Sequence, residues 1–141
     1  MLATENKELM QHIFAELSKG NSQPFVENMA DDFIWTITGT TQWSKKYAGK
    51  RTVIDELFGG LRATLAPPIV VEAIRFIADG DYVVIEAQGK NTTKAGVPYN
   101  NNYCYVFHLA EGKLQAMTEY LDTELVTKAL GTPVANLPRD N

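Results

Sequence analysis

Glu119, Tyr120 and Asp122 stand together at the end of a segment whose first half, Tyr103 to Ala110, reads Tyr-Cys-Tyr-Val-Phe-His-Leu-Ala. Aromatic and β-branched residues of this kind favour a strand, and Glu111-Gly112 supplies a turn, so Tyr103 to Asp122 is expected to form a β-hairpin. Its carboxylates fall where the second arm leaves the sheet. Ionisable groups at the end of an apolar sheet point to a pocket. There a carboxyl group can act as general acid or base, and the phenols of Tyr103, Tyr105 and Tyr120 can donate to a carbonyl or a developing enolate. The competing reading of these tyrosines is core packing with a polar tip. Glu86 interrupts Val83-Val84-Ile85, so it is either a second pocket carboxylate or half of an ion pair with Arg75 on the neighbouring strand.

The elements that must position these groups run from helices to sheet. Leu9, Ile13 and Leu17, with Met10 and Phe14 alongside, mark an amphipathic helix from Glu5 to Lys19, stopped by Gly20. Asn21-Ser22-Gln23-Pro24 can start a short second helix over Phe25 to Met29. A strand follows from Phe33 to Thr38, then a long polar loop. A third helix near Thr52 carries Val53, Ile54, Leu57, Phe58, Leu61 and Leu65 up to Pro67-Pro68, and Gly59-Gly60 within it either breaks the helix or admits a close approach. Ile69 to Ala78, Tyr82 to Thr93, Tyr99 to Ala110 and Leu114 to Asp122 read as an antiparallel meander, with a last helix from Thr123 to Leu130. This is an α+β chain, with residues 1–131 in one domain and a loosely held tail over 132–141.

Counting outward from the Glu111-Gly112 turn, Tyr105 opposes Thr118 and Tyr103 opposes Tyr120. One face then holds Tyr103, Tyr105, Phe107, Thr118, Tyr120 and Asp122, with Glu86, Arg75 and Asn101 joining it. Asn101 is accordingly a candidate pocket amide. The other face carries aliphatic residues, and by this count Glu119. A β-bulge would exchange the two and bring Glu119 inside. Because both faces are apolar, the mixed face is expected to pack on helices and the aliphatic face on a second copy of the chain. Trp35 and Phe58 are candidate walls, and Trp43 and Tyr47, aromatic residues in a polar loop, are candidate ligand contacts.

Composition removes other classes. The net charge of -4 is mild and the cations are scattered, which argues against nucleic acid. No run is apolar for long enough to cross a bilayer, and no leader pattern opens the chain, so a cytoplasmic protein is expected. Cys104 is the single cysteine and reads as a buried strand thiol. His12 and His108 belong to no zinc pattern, and there is neither a phosphate-binding glycine loop nor a dinucleotide fingerprint. Neither a metal nor a cofactor is therefore expected.

Asp31-Asp32-Phe33-Ile34-Trp35, Tyr47-Ala48-Gly49-Lys50, Asp79 to Glu86, Glu111-Gly112-Lys113-Leu114 and Glu119-Tyr120-Leu121-Asp122, in that order and spacing, resemble the SnoaL-like, ketosteroid isomerase-related branch of the nuclear transport factor 2-like superfamily. The resemblance spans nearly the whole chain to Gly131. It implies a cone-shaped α+β barrel, a strongly bent sheet around an apolar pocket, and a dimer through the sheet. In the cyclases of this group an acidic residue near the end of the last strand acts in proton transfer, and Asp122 matches that position. Its alternative role is to cap the helix that begins at Thr123. Glu86, Arg75 and Asp122, if all inward, would resemble the acid-arginine-acid arrangement of the superfamily's epoxide hydrolases.

Two functional classes follow. One is a cofactor-independent acid–base enzyme of isomerase, cyclase or dehydratase type, acting on a small, largely apolar carbonyl compound. The other is a binding protein that holds such a ligand without turnover. An epoxide hydrolase-like enzyme and a protein-interaction module stand behind them.

Overall fold

The computed structural model describes residues 2–133, so the expected tail lies, from residue 134 onward, outside the described residues. The apolar stripe of the first helix, α1 (Ala3–Leu17), buries Met10, Ile13 and Phe14 and packs on the strand Val71–Asp79. Gly20, at φ 82°, ends this unit in a conformation that suits glycine. Pro24 sits in the first turn of α2 (Gln23–Glu27), where its missing N–H costs nothing. Residues 50–64 form α3, which is α-helical over Lys50–Thr52 and Gly59–Thr64 and π-helical over Val53–Phe58. The glycine pair does not break it. A Cβ on Gly60 would stand 3.1 Å from the Trp43 ring, so of the two readings it is close approach that explains this glycine.

The strands are β1 (Met29–Ile37), β2 (Lys46–Ala48), β3 (Val71–Asp79), β4 (Tyr82–Gly89), β5 (Asn91–Thr92), β6 (Pro98–Tyr99), β7 (Asn102–Ala110) and β8 (Lys113–Leu121). Six of them form one curved sheet in the order β2-β1-β8-β7-β4-β3, which does not close on itself, while β5 and β6 make a separate ribbon. The meander from β3 to β8 is antiparallel as expected. Two features differ from the sequence expectation. β2 lies within what reads as a polar loop, too short to show alternation, and β1 pairs in parallel with β8, a long-range contact that no local pattern encodes. After β8 a last helix, α4, runs over residues 123–130.

Two irregularities set which side chains face the helices. Leu109 opposes Leu114 as counted, but His108 opposes Ala116, leaving Gln115 as an extra residue in β8. Beyond this bulge Phe107 opposes Met117 and Tyr105 opposes Glu119. Between β4 and β7 the chain detours through the β5–β6 ribbon, so the simple count across that turn fails, and Ile85 opposes Tyr105. The helix-covered face therefore holds Val83, Ile85, Tyr103, Tyr105, Phe107, Met117 and Glu119. Tyr120, Thr118, Glu86 and Arg75 are on the outer face, opposite to expectation. With them stand Ile74, Ile77 and Tyr82, which are exposed.

Asn101, fully buried, locks the start of β7 to the end of β8. Its Oδ1 accepts the N–H groups of Asn102 (2.8 Å) and Asp122 (3.0 Å), and its Nδ2 donates to the Asp122 carbonyl and the Tyr99 hydroxyl (both 3.1 Å). Asn101→Ala should strand these groups and lower the unfolding free energy by about 3 kcal/mol, read by denaturant titration.

Candidate functional site

Between the inner sheet face and the three N-terminal helices lies a cavity of about 320 Å³, at the lower end of the range for ligand pockets. Its walls are mostly apolar. Trp35 packs on Phe25 (5.6 Å between ring centroids) and edge-on to Phe58 (5.7 Å), while Phe14 meets Tyr105 at 5.8 Å. Leu57 from α3, Leu65 just after it, and Val126 and Leu130 from α4 complete the enclosure.

Into this apolar space β8 delivers one carboxyl group. Glu119 is 6% exposed and lines the cavity. Its Oε1 accepts the indole N–H of Trp35 at 2.7 Å, and among the described residues no donor meets the other oxygen. Its backbone is fixed from β1, since the carbonyl accepts both the N–H (3.1 Å) and the hydroxyl (2.9 Å) of Thr38. Burial, which disfavours the charged form, raises the Glu119 pKa to about 7 against the lowering effect of the Trp35 hydrogen bond. The group can therefore both take and give a proton at neutral pH.

Phenols surround this carboxyl. Tyr99, Tyr103 and Tyr105 line the cavity, with Tyr103 and Tyr105 stacked at 5.1 Å. Burial pushes the phenols of Tyr103 and Tyr105 well above their usual range, helped at Tyr103 by the neighbouring phenols of Tyr105 and Tyr99 and at Tyr105 by the Glu119 charge, and burial raises Tyr99 to about 12. They stay neutral and available as donors.

The structure brings together several of the residues expected at the site. Trp35, Trp43, Phe58, Tyr103, Tyr105 and Glu119 all line the cavity. Two others stand one step behind. The Tyr47 hydroxyl donates to the Trp43 carbonyl at 2.9 Å, and Asn101 holds the Tyr99 hydroxyl, so each supports a cavity residue without lining the space itself.

Four candidates lie elsewhere. Asp122 is exposed and caps α4, its Oδ1 accepting the N–H groups of Glu124 (3.1 Å) and Leu125 (3.2 Å). Tyr120 is on the outer face. Arg75 and Glu86 share a face, as expected, but it is the outer one, where they form a partly exposed ion pair. The acid-arginine-acid arrangement is thus not assembled in the cavity. The Gln115 bulge accounts for Tyr120 and for the inward turn of Glu119, and the β5–β6 detour accounts for Glu86 and Arg75. Tyr99 and Arg62 were missed. Arg62 follows Phe58 by one helical turn, and that spacing was the available signal. Among the described residues, no group of three His, Cys, Asp or Glu could hold a metal ion.

The SnoaL-like domain family matches residues 10–117 of this chain. No curated protein sequence matches it. Solved structures resemble it in fold. A nuclear transport factor 2-like protein from Burkholderia thailandensis superposes with a TM-score of 0.78 at 16% identity, covering 92% of this chain and 98% of its own. An LEH-like epoxide hydrolase from Mycobacterium tuberculosis gives 0.70 at 19% identity, covering 91% and 90%. A protein with a ketosteroid isomerase-like fold from Catenulispora acidiphila, solved with trimethylamine, gives 0.71 at 16% identity, covering 93% and 98%.

The buried carboxyl makes stability depend on pH. Unfolded, Glu119 releases its proton near 4.5, and folded only near 7. Its contribution is therefore most favourable below pH 4.5, weakens as pH rises to 7, and is constant above that, a loss of about 3 kcal/mol. Glu119→Gln should flatten this slope and be the more stable protein at pH 8, as measured by urea unfolding across pH.

Proposed function

This chain belongs to the SnoaL-like domain family, and on that premise we propose that it is a cofactor-independent acid–base enzyme in which Glu119 moves a proton on a small, largely apolar carbonyl compound. The observation that carries this reading is a buried carboxyl, with a pKa of about 7, that opens onto an apolar cavity and retains an oxygen that no donor among the described residues meets. As carboxylate, Glu119 takes a proton from the carbon beside the carbonyl. The C–H electron pair moves into the enolate, and a cavity phenol, Tyr99 or Tyr103, donates to the enolate oxygen. Return of the proton at another carbon gives isomerisation. Attack of the enolate carbon on a second carbonyl gives cyclisation, and loss of a β-hydroxyl, protonated as it leaves, gives dehydration. The walls exclude water, which strengthens the donors and keeps the carboxyl near neutrality.

A ketone that raises the melting temperature of the protein provides the assay. In D₂O the wild type should exchange its α-protons, at a rate that rises with pH to a plateau above a midpoint near 7, read by NMR. Glu119→Gln should lose exchange by about 100-fold or more while still binding the ketone. Trp35→Phe removes the donor that lowers the Glu119 pKa and should move the midpoint upward. Asp122→Ala should cost about 1 kcal/mol of stability and leave exchange unchanged. Undiminished exchange in Glu119→Gln would sink the assignment. Binding without exchange in the wild type would instead favour a ligand-binding protein.

The same proposal includes a homodimer through the outer sheet face, where Ile74 (64% exposed), Ile77 (54%), Tyr82 and Tyr120 (both 50%) leave apolar surface in water. Sedimentation velocity should give a dimer for the wild type and a monomer for Ile77→Glu. A monomeric wild type would refute this assembly.

A further inference from the structure

The residues lining the cavity divide by exposure into a floor and a mouth. Glu119, Trp35, Tyr99 and Tyr105 are buried, while Gly20, Ser22, Arg62, Pro67 and Pro68 are exposed. The charges of the lining follow this division. Among the described residues Glu119 is the acidic group, at depth, and Arg62 is the basic one, at the mouth. Of the three described arginines, Arg51 pairs with Asp55 and Arg75 with Glu86, whereas Arg62 has no carboxylate within 4.0 Å among the described residues. Its place on α3, one turn after Phe58 and beside Leu61 and Leu65, aligns it with the helix face that forms the cavity wall. The wall is thus apolar from the floor to a single free guanidinium at the rim.

We propose that Arg62 is a specificity residue that selects ligands carrying a carboxylate, so that the substrate is an apolar carbonyl compound with an acid tail, its carbonyl end inward and its carboxylate at the mouth. The inward end rests on the Glu119 reading, but the selection at the mouth does not. A guanidinium pairs a carboxylate through two parallel N–H donors, which fixes orientation as well as adding affinity. The reverse orientation is disfavoured, since it would bury the carboxylate among apolar walls beside another acid. The ligand therefore enters one way round.

The test uses 4-oxo-4-phenylbutanoate and its methyl ester, equal in their aryl ketone and differing in tail charge. Trp35 and Trp43 line the cavity, so their fluorescence reports binding. Wild type should bind the acid about ten-fold tighter than the ester, a preference that weakens with added salt. Arg62→Gln, an exposed change that leaves the core untouched, should bind both alike, and Arg62→Glu should prefer the ester. Glu119→Gln should keep the preference for the acid whether or not it has lost proton exchange, so that failure of the catalytic reading and failure of this one give different results. Equal binding of acid and ester by wild type, survival of the preference in Arg62→Gln, or no binding of either compound would overturn the proposal.

Discussion

Gln115 has no counterpart across the hairpin, and from that point every residue of β8 faces the side opposite to the one a simple count would give. Were the bulge absent, Thr118 and Tyr120 would stand against the helices and Glu119 would be in water. The bulge also fits β8 to β1. Trp35 runs alongside Met117 and Ile37 alongside Glu119 in the parallel pair, which sets the Trp35 indole within reach of the carboxyl. The inward turn of Glu119, and with it the meeting of its carboxyl with the Trp35 indole, thus depends on one inserted residue.

Burying that carboxyl has a cost that the rest of the fold must cover. At neutral pH it amounts to about 3 kcal/mol, a sizeable share of the 5–15 kcal/mol that a domain of this size typically retains. The compensation is visible around it. Phe33, Phe107, Met10, Ile13 and Met29 are fully buried beneath the sheet, Phe107 meets Phe14 edge-on and Phe33 meets Trp35 likewise, and Asn101 satisfies both backbone groups of Asp122 at the point where β8 turns into α4.

The elements were legible because their signals are local. The stripe of α1, Pro24 at the start of α2, the paired turns of the meander and the cap of α4 each lie within a few residues, and each stands close to where it was expected. The aromatic walls were legible too, since Trp35, Phe58, Tyr103 and Tyr105 fall on apolar patterns whatever the register. What could not be read was parity. Neither the Gln115 bulge nor the detour through β5 and β6 leaves a distinctive residue type, yet each reverses the face of everything beyond it. Tyr105 and Phe107, next to the turn where counting began, were placed correctly. Tyr120, Glu86 and Arg75 lie beyond an irregularity and were not. The β1–β8 pairing escaped for a different reason, being set by tertiary packing between segments about eighty residues apart.

Glu119 and Asp122 are three residues apart and differ by one methylene, but the fold leaves them different work. Asp122 accepts two backbone N–H groups at the start of α4, which satisfies donors that the helix itself leaves unpaired. It is exposed and lies outside the cavity lining, so its carboxylate is committed to the cap and does not meet a ligand held in the cavity. Among the described residues, Glu119 has one side-chain bond, from an indole that accompanies either protonation state, and its other oxygen meets no donor. Chemical competence here follows from what the fold leaves unsatisfied. A carboxylate whose acceptors are filled by backbone holds structure together, and one whose partner is missing inside an apolar cavity is left to find it in a ligand.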